Sequence, residues 1–439
     1  MVLKFFIFIF CLTVSGLLAQ NGFEFENEKN KITIPFQLIN NLIFIPVTVN
    51  GAPLNFLLDT GVEETILISL DDKNEVNLKN IQKVKFKGLG SEEAIEGLKS
   101  SNNTININGF NDKNHNLYIV LNQSFNFSSH VGIPVNGIIG YHFFKNHTIK
   151  INYDRRKITV YKDGEKIKKQ VGKRFKAMPI SIERNKPYTT TTIGLNNENV
   201  QAKLLIDIGN SDAVWLFPNA EKQIQIPQTN FKDYLGKGFS GEIHGNRAKI
   251  ENVNMGDFTF EKPIISFPDS ESIKSVNMVK DRNGSIGGEI LKRFTVIFNY
   301  PEKQIYLKKG AHFRNPFHYN MSGIEMQNEG VQWVQETVLL QTVKANNTFD
   351  GDGNKTDFKY KFSLKPVYTI SNIRENSPAQ LAGLLKDDTV LKINGTAAYK
   401  YSLSAINDIL KSEEGKWITL EIERANKILV FKFQLKSIL

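Results

Sequence analysis

Apolar positions fall in short runs along this chain, and turn-forming residues separate them at close intervals. Lys31-Ile32-Thr33-Ile34-Pro35-Phe36 alternates polar and apolar positions, while Leu42-Ile43-Phe44-Ile45-Pro46-Val47-Thr48-Val49 is almost continuously apolar. Asn50-Gly51 follows and leads into Leu54-Asn55-Phe56-Leu57-Leu58, the pattern of a hairpin whose turn needs left-handed backbone. Short strands with such punctuation predict a mainly β fold.

The same pattern occurs twice. Asn55-Phe56-Leu57-Leu58-Asp59-Thr60-Gly61 is echoed by Lys203-Leu204-Leu205-Ile206-Asp207-Ile208-Gly209. Downstream, Lys87-Gly88-Leu89-Gly90 is echoed by Lys237-Gly238-Phe239-Ser240-Gly241. Gly137-Ile138-Ile139-Gly140 is echoed by Gly284-Ser285-Ile286-Gly287, at nearly equal distance from the respective aspartate. Each echo then runs into a strand pair, Thr148–Tyr153 with Lys157–Tyr161 and Thr295–Tyr300 with Lys303–Leu307. Shared order and spacing predict two homologous lobes, at 21–165 and 172–310.

From 311 to 439 the texture changes. Ser377-Pro378-Ala379 opens a capped short helix that stops at Gly383, and Ile393-Asn394-Gly395 ends a strand in a hairpin turn. A helix over 404–411 and strands over Trp417–Arg424 and Ile428–Leu435 complete a third domain. The polar tract 346–357 reads as an inserted loop; its acidic spacing departs from that of a calcium loop.

The start of the chain has its own character. Lys4 precedes an apolar run from Phe5 to Val14, followed by Ser15, Gly16 and a cleavage point after Ala19. That is the pattern of a secretory signal peptide over 1–19, and it predicts an exported protein, periplasmic or secreted. An uncleaved anchor is the lesser reading; after cleavage no stretch is long and apolar enough to span a membrane. Cys11, the single cysteine of the chain, lies in this leader, which excludes disulfides, thiolate metal sites and cysteine nucleophiles from the mature protein. The net charge of +10 is dispersed without interleaved aromatics, so it reads as solvated surface and not as a nucleic-acid site. Seven histidines include no metal-binding pair, and no G-x-S-x-G elbow accompanies them. Neither a metal nor an organic cofactor is expected.

The remaining chemistry is carboxylate chemistry. Asp59 and Asp207 each end an apolar strand and precede a glycine-containing turn. A lone Asp-Thr-Gly is also a common strand-ending turn; its repetition is what points to function. Two facing lobes would bring the carboxylates together, where like charges share one proton. One then acts as base toward a water, and the other as acid toward a carbonyl.

Asp59-Thr60-Gly61 with Ile138-Ile139-Gly140 resembles the motifs of a retropepsin-like aspartic protease lobe. Two such lobes followed by the C-terminal module resemble bacterial aspartyl protease family proteins with a PDZ domain. The resemblance implies two aspartic-protease-like β-barrel lobes, catalytic roles for Asp59 and Asp207, and an aspartic-type endopeptidase acting on polypeptides. Thr60, Gly61, Ile208, Gly209 and Asn210 would support the active-site loops. Ile208 departs from the pattern, because an isoleucine cannot make the cross-loop hydrogen bond of the family's threonine. Asn210 stands at a position usually small or hydroxyl, and its side chain could hydrogen-bond the Asp207 carboxylate.

Gly88, Gly90, Gly238 and Gly241 mark candidate flaps over the cleft; surface turns fit either segment equally well. Residues 377–384 and 393–395 are similar to the core of bacterial PDZ domains. There Gly323, Ile324 and Met326 are the candidate binding segment for the C-terminus of a peptide or protein, added to the sheet edge; a plain strand start is equally reasonable. Ile406, Ile409 and Leu410 read as core. A catalytically weak or inactive peptide-binding scaffold of the cell envelope is the alternative function, favoured by Ile208.

Overall fold

The structure, a computed structural model, describes residues 22–26, 28–68, 75–86, 95–120, 127–164, 171–238, 241–273, 278–339 and 358–439. The leader 1–19, Gly88, Gly90 and the tract 346–357 lie outside the described residues. The fold is mainly β, with short helices at strand ends.

In the first lobe Leu42–Val49 and β1 (Ala52–Leu58) form the hairpin anticipated from Asn50-Gly51. Both turn residues have positive φ, 48° and 93°, which matches the twist of the flanking strands. The chain continues through β2 (Thr65–Leu67) and the short helix α1 (Ser128–Val131) to β3 (Gly137–Ile139). β3 lies between β1, to which it is parallel, and β2, to which it is antiparallel. Then comes β4 (Thr148–Asn152).

The second lobe repeats this plan. Its strands are β5 (Glu198–Ile206), β6 (Val214–Leu216), the hairpin of β7 (Asn230–Gly238) and β8 (Gly241–Lys249), β9 (Arg282–Ile286) and β10 (Phe294–Asn299). β9 lies between β5, parallel, and β6, antiparallel.

The lobes share a sheet, six-stranded among the described residues, in which β4 pairs antiparallel with β10. Thr148 faces Asn299 and Asn152 faces Thr295, so the Thr-to-Asn strand of one lobe meets its own echo head to tail. This pairing creates a local twofold relation between the lobes. Ile149, Ile151, Val296 and Phe298 are buried in one apolar core that runs through both.

The C-terminal domain has a sheet that begins with β11 (Ile324–Leu339) and β12 (Phe358–Ile373) and ends with Trp417–Arg424 and Lys427–Gln434. The last strand lies one residue earlier than its sequence pattern suggested. Ser377 caps Pro378–Leu381 by accepting the Gln380 N–H, and Gly383 leaves the helix at φ +99°. Helix α2 (Leu403–Leu410) also starts one residue earlier than its pattern, with Ser402 as its cap. Leu403, Ile406 and Leu410 enter the core and Ile409 is partly buried against it. Phe231 and Ile264 of the second lobe belong to this same core, so the domain is seated on that lobe. Among the described residues no helix is long and apolar enough to cross a membrane.

Candidate active site

Each aspartate is delivered by the same local construction. The Asp59 N–H donates to the Ile139 carbonyl and the Asp207 N–H to the Ile286 carbonyl, both at 2.9 Å. The parallel partner strand therefore fixes where each loop leaves the sheet. Behind the loops, Gly140 and Gly287 admit a close backbone crossing. A Cβ on Gly140 would lie 2.2 Å from the Val62 carbonyl oxygen, and one on Gly287 2.3 Å from that of Asp212. The last glycine of Gly137-Ile138-Ile139-Gly140 and of Gly284-Ser285-Ile286-Gly287 is thus a packing requirement of the two aspartate loops.

The two carboxylates meet across the lobe boundary. The Gly61 N–H donates to Asp59 Oδ1 at 2.6 Å, and the Gly209 N–H to Asp207 Oδ1 at 3.0 Å. A Cβ on Gly61 would lie 3.0 Å from an oxygen of both aspartates, and one on Gly209 only 2.2 Å from Asp59 Cγ. Any side chain at 209 would occupy the place of the Asp59 carboxylate.

The connection between the loops is one-sided. The buried Thr60 hydroxyl donates to the Ile206 carbonyl at 2.7 Å and accepts the Ile208 N–H at 3.1 Å. Ile208 is fully buried and returns an apolar contact instead.

Burial, the Asp207 charge and a hydrogen bond to Asp207 push the Asp59 carboxyl up to about 8. Asp207 is raised by burial as well, against the opposing pull of Arg282, its bond to Asp59 and the Gly209 N–H. Like charges this close oppose ionisation of both carboxyls, so the pair shares a proton. Two cations facing this pair were not singled out by any motif. Lys186 and Arg282 both favour ionised aspartate, and burial lowers the pKa of each. Lys186 begins the strand paired beside β5 and Arg282 begins β9, so each enters through the sheet. A spacing repeat could not find them, because neither has a charged echo in the first lobe.

Asn210 does not hydrogen-bond the Asp207 carboxylate. Its Nδ2 donates to Ser285 Oγ at 3.0 Å, and its Oδ1 accepts the Asp212 N–H at 2.9 Å. The side chain braces the loop from behind, because the Gly209 N–H already occupies Asp207 Oδ1. Asp212 in turn accepts from Trp215, Ser266 and Arg247, each at 2.8 Å. Burial opposes its charge, but Arg247 outweighs that and holds the carboxyl low.

Gly238 and Gly241 face each other at the end of the β7–β8 hairpin. Gly323 has φ +80°, and a Cβ there would lie 2.3 Å from that of Ser377. Ile324 and Met326 point into the core of the C-terminal domain, so only their backbone is available to a peptide. Two other polar groups belong to the fold. His142 lies 3.5 Å from Glu64, and His115 bridges Asp112 and Thr65 at 2.8 and 2.6 Å in the first-lobe interior. Among the described residues no group of acidic, histidine or cysteine side chains is arranged to hold a metal ion.

Comparison with known proteins agrees with the resemblance drawn from the motifs. Residues 45–143 match the aspartyl protease family and residues 369–424 match the PDZ domain. No curated protein matches the chain. Among solved structures it is similar to the aspartic proteinase from Irpex lacteus, at 10% identity and a TM-score of 0.42, over 65% of this chain and 99% of that one.

Proposed function

We propose, from an aspartyl protease segment and a PDZ domain carried in one chain, that this protein is an exported aspartic endopeptidase. Asp59 and Asp207 are its catalytic pair. The observation that carries this reading is the convergence of two half-buried carboxylates beside Gly61, each held by a glycine N–H of its own loop.

The chemistry follows from their unequal protonation. Asp207 takes a proton from a water as that water attacks the scissile carbonyl carbon. Asp59 gives its proton to the carbonyl oxygen, and a gem-diol forms. Asp207 then returns its proton to the amide nitrogen as the C–N bond breaks. One diol hydroxyl gives its proton back to Asp59, leaving an acid and an amine. Lys186 and Arg282 hold the pair at a single negative charge by opposing its full protonation.

The substrate is an extended polypeptide of the compartment beyond the inner membrane, the export resting on the leader pattern of residues 1–19. The PDZ domain takes peptide C-termini or a substrate segment at its sheet edge. The mature chain should cleave an unfolded reporter protein, and a statine-containing peptide should compete with the substrate. Absence of cleavage from acidic to mildly alkaline pH would remove this reading. A second reading, a peptide-binding scaffold without turnover, is favoured by the buried Ile208. It requires the reporter to be recovered intact from a stable complex.

A further inference from the structure

Among the described residues β11 is an edge strand of the C-terminal sheet, paired on one side to β12. Helix α2 packs beside β11. The space between a free strand edge and such a helix is where an extended peptide adds to the sheet. Here the first protease lobe stands at that space. Its helix α1 packs against both β11 and α2. At Gly132, with φ +79°, the approach is so close that a Cβ would lie 2.9 Å from that of Leu403 in α2. Asn407 of α2 donates to Asn40 of the same lobe at 3.3 Å.

The second lobe closes the other end. Arg374, which follows β12, donates to the Asn320 and Met321 carbonyls at 3.0 and 3.4 Å, and so holds the loop entering β11. The same guanidinium reaches Asp233 of β7 at 3.4 Å, and both side chains are buried. Asp233 also accepts from Arg247 of β8 at 2.7 Å, and Arg247 donates to Asp212 at 2.8 Å. Asp212 is bonded through its N–H to Asn210 in the second catalytic loop. A continuous chain of bonds therefore joins the loop before β11 to the loop that carries Asp207.

We propose that the PDZ groove is held shut by the protease lobes, with α1 in the place of a peptide, and that a C-terminal peptide must displace this docking to bind. Displacement would loosen the Arg374–Asp233 contact, freeing the β7–β8 hairpin that Asp233 and Arg247 anchor. Lys237 and Glu242, near the end of that hairpin, act electrostatically on His130 in α1. Peptide binding and release of the hairpin are then two faces of one equilibrium, and each favours the other. The consequence for cleavage rests on the peptidase reading above; the docking itself does not.

The test uses the full mature chain carrying Asp59→Asn, so that no peptide is consumed. The probes are a short fluorescein-labelled peptide ending in a free valine carboxylate and its carboxamide. Hydrogen exchange is followed with and without each probe. The carboxylate peptide should bind better than the carboxamide, slow exchange in the backbone of β11, and accelerate it in 127–133 and 230–249. Adding Asp233→Asn should tighten peptide binding by roughly fivefold or more, because less of the chain remains closed. Asn407→Ala, which removes the contact to Asn40 and keeps a good helix former in α2, should act in the same direction. Peptide binding without faster exchange in 127–133, equal affinity in all three chains, or no binding to any of them would overturn the proposal.

Discussion

Thr60 binds the loop that carries Asp207 twice, and Ile208 gives nothing polar in return. The Thr60 hydroxyl satisfies both the Ile206 carbonyl and the Ile208 N–H, while the Ile208 side chain is buried among apolar neighbours. The polar link from the Thr60 loop to Ile206 and Ile208 therefore depends on one side chain. Replacing it with the isosteric Thr60→Val leaves a buried carbonyl and a buried N–H without their partner. Denaturant unfolding should show a loss of about 1–3 kcal/mol, and turnover should fall with it.

Gly209→Ala adds a methyl group and should be among the most damaging substitutions in the chain. Its Cβ would lie 2.2 Å from Asp59 Cγ, so the carboxylate must move. A displacement of that order misaligns the pair, and kcat should drop by roughly 100-fold or more. Circular dichroism should remain that of a folded β protein.

The shared proton links stability to pH. Asp59 rises from an ordinary 3.8 to about 8 in the folded chain, so the folded state binds a proton there that the unfolded state has released. Stability is greatest below the unfolded value and is lost as pH rises through this window. Asp59→Asn removes that loss. Its melting temperature should exceed that of the wild type at pH above about 8 and approach it near pH 4.

Lys186→Met tests the cationic side of the site. Lys186 favours the ionised forms of both aspartates, so its removal should raise their pKa values. The alkaline limb of the kcat/KM profile, expected near 8, should move upward, and the acidic limb should move upward with it.

The sequence made some of this molecule legible and hid the rest for physical reasons. The Asn50-Gly51 hairpin and the capped helix at Ser377 depend on local backbone preferences, so a few residues sufficed to announce them. The lobe repeat was legible because the two loops face the same steric problem: a glycine must pass behind each aspartate. Single-lobe features have no echo, and Lys186 and Arg282 stayed hidden for that reason. Asn210 was expected on the carboxylate beside it, but its bonds go to Ser285 and Asp212, which only the folded sheet brings near. The bonds from Asp212 through Arg247 and Asp233 to Arg374 join residues far apart in the chain, and no local pattern encodes them.

The most direct test of the dyad compares three mature chains, wild type, Asp59→Asn and Asp207→Asn, on one fluorogenic peptide library across pH. If one proton is shared by two working carboxylates, each substitution alone abolishes cleavage at every pH, while both variants remain folded. Turnover that survives in Asp207→Asn would contradict a catalytic pair and leave Asp59 as a lone carboxylate beside a structural one.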